Sequence, residues 1–352
     1  MRDNWFKGRA RRFARPVSAA VAASALVVGV AACGGSNDES SASGDGSGGS
    51  IDLVAYSTPE TAYTETLEPD FNAQNEDGEV EFANSFGASG DQSRAVEAGQ
   101  PADFVHLPLE PDITRLVDAG IVSEDWSDAD YGGGIQNSVV VFVTRPGNPE
   151  GIEDWEDLVT GDVDVVTANP FTSGGARWNI MAAYGQVLEK GGTEEEGLEY
   201  VKQMLENTPI QDASARDALN TFIGGEGDVL LSYENEAIGA IEAGEEVEYT
   251  IPDETILIET LGVIPTDAPN AEEAEAFRDY LISEEGQTGW AENGYRPVDE
   301  KVLAEFEEDF PEPPGLFTIE EFGGWETVAT EFFDPENGSV ADIERELGVA
   351  TE

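Results

Sequence analysis

Short apolar runs alternate along this chain with small polar loops and helical patterns, which predicts an α/β architecture with mainly parallel sheets. Residues 51–56 form the first run, which ends in Ser57-Thr58-Pro59 and leads into a helix carrying Ala62, Tyr63, Leu67 and Phe71. The unit recurs: a strand at 80–83, a loop from Ser85 to Gly90, and a helix through Val96. A short buried strand at 104–107 precedes a helix with Ile113, Leu116 and Val117, and the strong strand 139–144 leaves this first set. A second set starts at 155–159. It has a strand at 163–167, a loop at 169–175 opening a long helix through Leu188, a helix over 197–205, a loop at 212–215 and a strand at 229–232. Strand character returns at 256–264, a helix follows at 271–282, and 311–352 reads as a short loop and helices. No repeat at a fixed period is present.

A chain that crosses out of one α/β set and back again predicts two lobes. The first comprises 51–143 with 256–352, the second 144–255, and a cleft lies between them. Clefts at the carboxyl ends of parallel strands are where open α/β sheets bind ligands.

Composition narrows the partners. The 352 residues are 39% apolar and 9% aromatic, enough for a sizeable core, yet 17 Lys and Arg face 74 Asp and Glu, a formal charge of −57. Nucleic acid is excluded as a partner. The acids are spread between apolar residues and do not form a tail, the pattern expected of a halophile's solvated surface. At molar salt the Debye length is roughly 3 Å, so an anion can approach such a surface.

The first 32 residues depart from this balance, with six cations, a basic stretch from Arg9 to Arg15, and an apolar run from Val17 to Ala32. This is the pattern of an export signal. Val30-Ala31-Ala32-Cys33 resembles a bacterial lipobox, which makes Cys33 the lipidated first residue of the mature chain; an ordinary thiol beside a membrane anchor is the alternative. Cys33 is the only cysteine, so no disulfide forms within the chain. Residues 33–50, rich in Gly, Ser and Asp, read as a flexible tether. The address is extracytoplasmic, on the outer face of the cytoplasmic membrane, with membrane contact through the lipid alone.

The strand-to-helix loops carry the candidate chemistry: Ser57-Thr58, Ser89-Gly90, Ser173-Gly174-Gly175 and Ser214-Ala215, all small and neutral. Each stands where a helix begins and backbone N–H groups lack intrahelical acceptors. A helix N-terminus carries about half a positive charge, and several aimed at one point hold an anion without a counter-cation. Helix capping is the plain alternative for any one of these loops. Arg94, Arg177 and Arg216 follow three of them and either support the site from behind or pair with neighbouring acids. Asp91 and Asp212 are the nearest carboxylates that could enter the cleft.

Five strings carry a resemblance to a known family: Ser85-Phe-Gly-Ala-Ser-Gly-Asp-Gln-Ser-Arg-Ala-Val96, Leu109-Glu-Pro-Asp-Ile-Thr-Arg-Leu-Val117, Asn169-Pro-Phe-Thr-Ser-Gly-Gly-Ala-Arg-Trp-Asn179, Gly227-Asp-Val-Leu-Leu-Ser-Tyr-Glu-Asn-Glu-Ala237 and Tyr295-Arg-Pro-Val298. They resemble the sulfate/thiosulfate-binding proteins of bacterial uptake systems, over nearly the whole of 51–298. The resemblance implies a type II periplasmic-binding-protein fold, two α/β lobes joined by two crossover strands. It implies a monomer without cofactor or metal that captures sulfate or thiosulfate and docks on the permease of an ABC importer. It also implies donors: the Ser89 hydroxyl beside Gly90, the N–H groups of Ser173, Gly174 and Gly175, one N–H at Ala215 and one at Ser57 or Thr58. Tyr233 stands where some members have a Trp that donates its indole N–H; a phenol can also accept.

Other readings make different demands. A receptor for phosphate or molybdate shares the fold. A serine hydrolase would use Ser89, but the Gly87-Ala88-Ser89-Gly90 spacing misses the nucleophile-elbow pattern, and the single histidine, His106, sits in a buried-looking strand.

Overall fold

The computed structural model describes residues 47–75 and 78–351. The leader, Cys33 and most of the expected tether lie outside the described residues. Strand β1 (Ser47–Tyr56) begins before Ile51 because its first residues already pair with β2 (Glu79–Gly87), which runs on through Ser85, Phe86 and Gly87, expected as loop. β3 (Phe104–Leu107) flanks β1 on its other side, and all three strands are parallel.

The chain continues through β4 (Gly134–Thr144), β5 (Val165–Ala168), β6 (Ile210–Asp212), β7 (Val229–Tyr233), β8 (Glu248–Thr250), β9 (Glu254–Val263) and β10 (Gly315–Phe317). Strand order is β2-β1-β3-β9-β4-β7-β5-β6, with β8 on β4 and β10 on β9. The long strands β4 and β9 are antiparallel and central. β4 pairs with β9 up to Val139 and with β7 from Val140 onward. The parallel groups β2-β1-β3 and β7-β5-β6 are therefore joined through one antiparallel pair.

The run 139–143 shows why β4 can do this. Val140 and Phe142 enter one apolar cluster with Trp155 and Trp178, whereas Val139, Val141 and Val143 enter another with Phe222. Alternate side chains point to opposite faces, so a continuous apolar run fills two layers at once. In the first group, Phe277 is packed by Phe71, Phe82 and Phe104.

Between strands, the helices Ser89–Glu97, Glu110–Asp118, Gly174–Glu189 and Ala271–Ile282 stand near their expected places. Gly174–Glu189 is apolar on most of its circumference because it is sandwiched: Trp178 meets Trp325 at 4.7 Å, and Tyr184 meets Phe332 at 4.9 Å. The C-terminal stretch thus packs its aromatics on this helix. Glu234–Ala243, β6 and β8 were not visible in the pattern, since β6 is three residues long and the helix opens with Glu-Asn-Glu, which reads as surface.

Candidate anion site

The ends of β1, β2, β3, β5, β6 and β7 converge on one small cavity. Its wall includes Tyr56 at the end of β1 with Ser57 and Thr58 beyond it, Gly87 at the end of β2 with Ala88 and Ser89 beyond it, and Pro108 after β3. Ser173 and Gly175 after β5, Ser214 and Ala215 after β6, and Tyr233 closing β7 complete it. The cavity offers about 10 Å³, the room of roughly one water-sized body. Pockets for organic ligands measure roughly 300–1,000 Å³, so this one excludes such molecules and leaves room only for a small guest.

The capping alternative can be decided loop by loop. Ser214 is a cap: its Oγ accepts the Asp217 N–H at 3.1 Å and donates to Asp217 Oδ2 at 2.7 Å. Ser173 is the N-cap residue of Gly174–Glu189, yet its side chain makes no capping bond. Ser89 lies inside its helix, whose N-cap is Ala88, and its Oγ accepts the Gly174 N–H at 2.9 Å from the other parallel group. Ser89 and Ser173 therefore stand on the wall for a reason other than capping.

Not every expected donor is free. The Ser173 N–H donates to Asn169 O at 2.9 Å and the Gly174 N–H to Ser89, so Gly175 supplies the loop's remaining amide. Gly90 is off the wall, facing Arg94 and the Thr172 carbonyl. A Cβ at Gly175 would sit in ordinary contact, 3.4 Å from both Ser173 Oγ and the Tyr233 hydroxyl, on the side where the wall hydroxyls gather.

Two wall hydroxyls matter most. Thr58 Oγ1 and the Tyr233 OH are buried, and neither has a hydrogen-bond partner among the described residues. A buried polar group without a partner costs about 1–3 kcal/mol. Burial holds the Tyr233 phenol well above its usual range, so it is a neutral O–H. Tyr56, Gly87, Ala88 and Pro108 went unread as wall residues, although each borders a loop or strand end already singled out.

Among the described residues, no charged side chain lines the cavity. Arg94 pairs with Asp91 at 2.6 Å, both well exposed. Arg177 Nε donates to Pro170 O at 2.8 Å. Arg216 binds the buried Glu236 carboxylate at 2.9 Å and donates to Thr58 O at 3.0 Å, tying the β1 loop to the helix that starts at Ala215. Asp91 and Asp212 stay off the wall. Positive potential at the site comes from the helix starts at Ser89, Gly174 and Ala215.

His106 is far from acting as a base on Ser89. Its Nδ1 and Nε2 meet Tyr63 OH and Thr260 Oγ1, each at 2.8 Å, and Thr260 donates onward to Gln136 O. Nε2 therefore carries the proton and Nδ1 accepts from Tyr63; burial lowers the imidazole pKa to about 3.

The family described as bacterial extracellular solute-binding protein matches residues 51–296. The chain belongs to that family. Solute-binding proteins are extracytoplasmic receptors, not enzymes, and this member shares their fold. It is 42% identical to a sulfate-binding protein of Synechococcus elongatus over 90% of this chain and 93% of that one. It is 36% identical to a thiosulfate-binding protein of Pseudomonas aeruginosa over 71% and 78% of the two chains. The solved structure of the sulfate-binding protein SubI from Mycobacterium tuberculosis superposes with a TM-score of 0.78 at 41% identity, covering 81% of this chain and 99% of that one.

Proposed function

We propose that this solute-binding protein captures sulfate, or the closely similar thiosulfate, and delivers it to the permease of an ABC importer. The observation that carries the reading is the cavity wall: small neutral residues, helix starts, and two buried hydroxyls, Thr58 and Tyr233, lacking partners, with no carboxylate among them. Phosphate near neutral pH carries a proton that needs an acceptor, and a site of donors leaves it unsatisfied at a cost of about 1–3 kcal/mol. Sulfate has no such proton. The relatives' named ligands support the same choice.

Donors reside at Ser57 or Thr58, Ser89, Ser173, Gly175, Ala215 and Tyr233. They come from both parallel groups, so the bound ion favours a closed arrangement of two lobes, 51–143 with 256–352 and 144–255, by contacts that an open one lacks. Gly174 acts through Ser89, and Gly90 lies behind. The protein works as a monomer, held at the membrane by lipidated Cys33, in a high-salt medium that screens its acidic surface.

Titration calorimetry of the mature protein in molar salt against sulfate, thiosulfate, molybdate and phosphate tests the reading. Sulfate or thiosulfate binds tightly at one site; tight phosphate binding with no sulfate signal overturns it. Tyr233 favours one second reading, another oxyanion, because its hydroxyl can accept as well as donate.

A further inference from the structure

The loop that delivers Ser173 and Gly175 is shaped by one residue, Asn169. Its carbonyl accepts the Ser173 N–H at 2.9 Å, its Oδ1 accepts the Phe171 N–H at 2.7 Å, and its own N–H donates to Asp212 O at 2.8 Å. That last bond joins the end of β5 to the end of β6, so the loops carrying Gly175 and Ala215 leave neighbouring strand ends. β6 is the outermost strand of its group and only three residues long. The sheet itself leaves its outer side unsupported.

What lies there is the C-terminal helix Ser339–Leu347. Gln211 Nε2 donates to Glu344 Oε2 at 3.0 Å, and Glu344 is fully buried. Beyond the helix, the Ala350 carbonyl accepts the remaining side-chain donor of Asn169, Nδ2, at 3.2 Å. Ahead of the helix, Phe333 packs on Phe171, the next residue but one after Asn169 in the same loop, at 6.3 Å. Upstream in the C-terminal stretch, Trp325 meets Trp178, whose Nε1 donates at 2.7 Å to the carbonyl of Pro108, another wall residue. The contacts are separate in sequence, and each ends on a strand, loop or helix that borders the cavity.

We propose that the C-terminal arm, residues 339–351, is a positioning element of the anion site: Glu344 on Gln211 and Ala350 on Asn169 hold the β5 and β6 loops in register so that Gly175 and Ala215 aim at one ion. This rests on the anion-receptor reading above and adds to it the elements that set its affinity. Gln211 Oε1 and Glu344 Oε1 are both buried without a partner. A proton on Glu344 Oε1, donated to Gln211 Oε1, closes an acid–amide ring that satisfies both atoms at once. Burial holds the Glu344 carboxyl above its usual range, in the direction that keeps that proton. A glutamine at 344 closes the same ring with two amides.

The test compares sulfate affinity and thermal unfolding of the full chain with those of Glu344→Ala, Glu344→Gln and a chain stopped after Leu347. Glu344→Ala is expected to bind about tenfold or more weakly, Glu344→Gln to bind like the wild type, and the shortened chain to bind more weakly while melting close to it. A simple stabilising role would lower the melting temperature of Glu344→Ala and leave its affinity unchanged, which overturns the proposal, as does a Glu344→Gln chain no better than Glu344→Ala. Should Glu344→Ala fail to fold, the shortened chain decides: wild-type affinity there sinks the arm's role. A wild-type chain that takes none of the four anions removes the receptor reading and this proposal with it.

Discussion

At the scale of single residues, Tyr233 separates folding from binding. Its hydroxyl is desolvated and without an acceptor or donor among the described residues, so it contributes nothing to the folded chain by itself. Tyr233→Phe is therefore expected to leave the ligand-free melting temperature unchanged or slightly higher, because a buried polar atom without a partner is removed. The same change should weaken sulfate binding by roughly 5- to 150-fold, the equivalent of about 1–3 kcal/mol. Calorimetry with sulfate and a thermal scan without it measure the two halves; unchanged affinity would place the hydroxyl outside the ligand's reach. The residue types of the cavity wall were readable in the sequence, because small neutral residues stand where strands end and helices begin. Their division of labour was not. Ser214 caps while Ser89 and Ser173 do not, and the Ser173 and Gly174 amides are already engaged, the latter by a hydroxyl 85 residues away that no local pattern records.

Among elements, the helix Glu234–Ala243 escaped the sequence pattern for an instructive reason. Its opening residues Glu234, Asn235 and Glu236 look like solvent-facing polar residues, yet all three are buried. Glu234 meets Arg296 at 2.7 Å, Asn235 Oδ1 accepts from Ser138 at 2.9 Å, and Glu236 holds Arg216. Carboxylates suit a helix N-terminus, where the dipole is positive, but their burial depends on partners 20 and 62 residues away. Removing one member of a buried ion pair costs about 3–5 kcal/mol, whereas replacing both with apolar side chains is often neutral. Glu234→Leu is thus expected to lower the melting temperature by roughly 10 °C, and the double variant Glu234→Leu, Arg296→Met to recover most of it. A double variant as unstable as the single one would show that the pair's worth lies elsewhere. The Tyr295-Arg296-Pro297-Val298 string, visible in the sequence only as a resemblance, acquires a physical role here.

For the molecule as a whole, charge is the dominant fact. With 17 cations against 74 acids, ion pairs cannot neutralise the surface, and the two pairs with buried carboxylates take Arg216 and Arg296 from that small supply. Repulsion between the remaining acids must be screened by salt. The Debye length falls from about 10 Å at 0.1 M to about 3 Å at 1 M, so the melting temperature should rise steadily with potassium chloride over that range, and sulfate affinity with it once ionic competition is corrected. A melting temperature that is flat or falling across the series would remove the salt-screening account of this surface. The alternation of apolar runs and small loops was enough to establish an α/β chain with anion-suited strand ends, because side-chain period and helix-start chemistry are local properties. Bringing six of those strand ends to one cavity, burying Glu234 and Glu236, and setting the C-terminal arm behind the β5 and β6 loops depended on contacts between residues far apart in the chain. Local periodicity carries no record of those contacts, and only the folded molecule decides them.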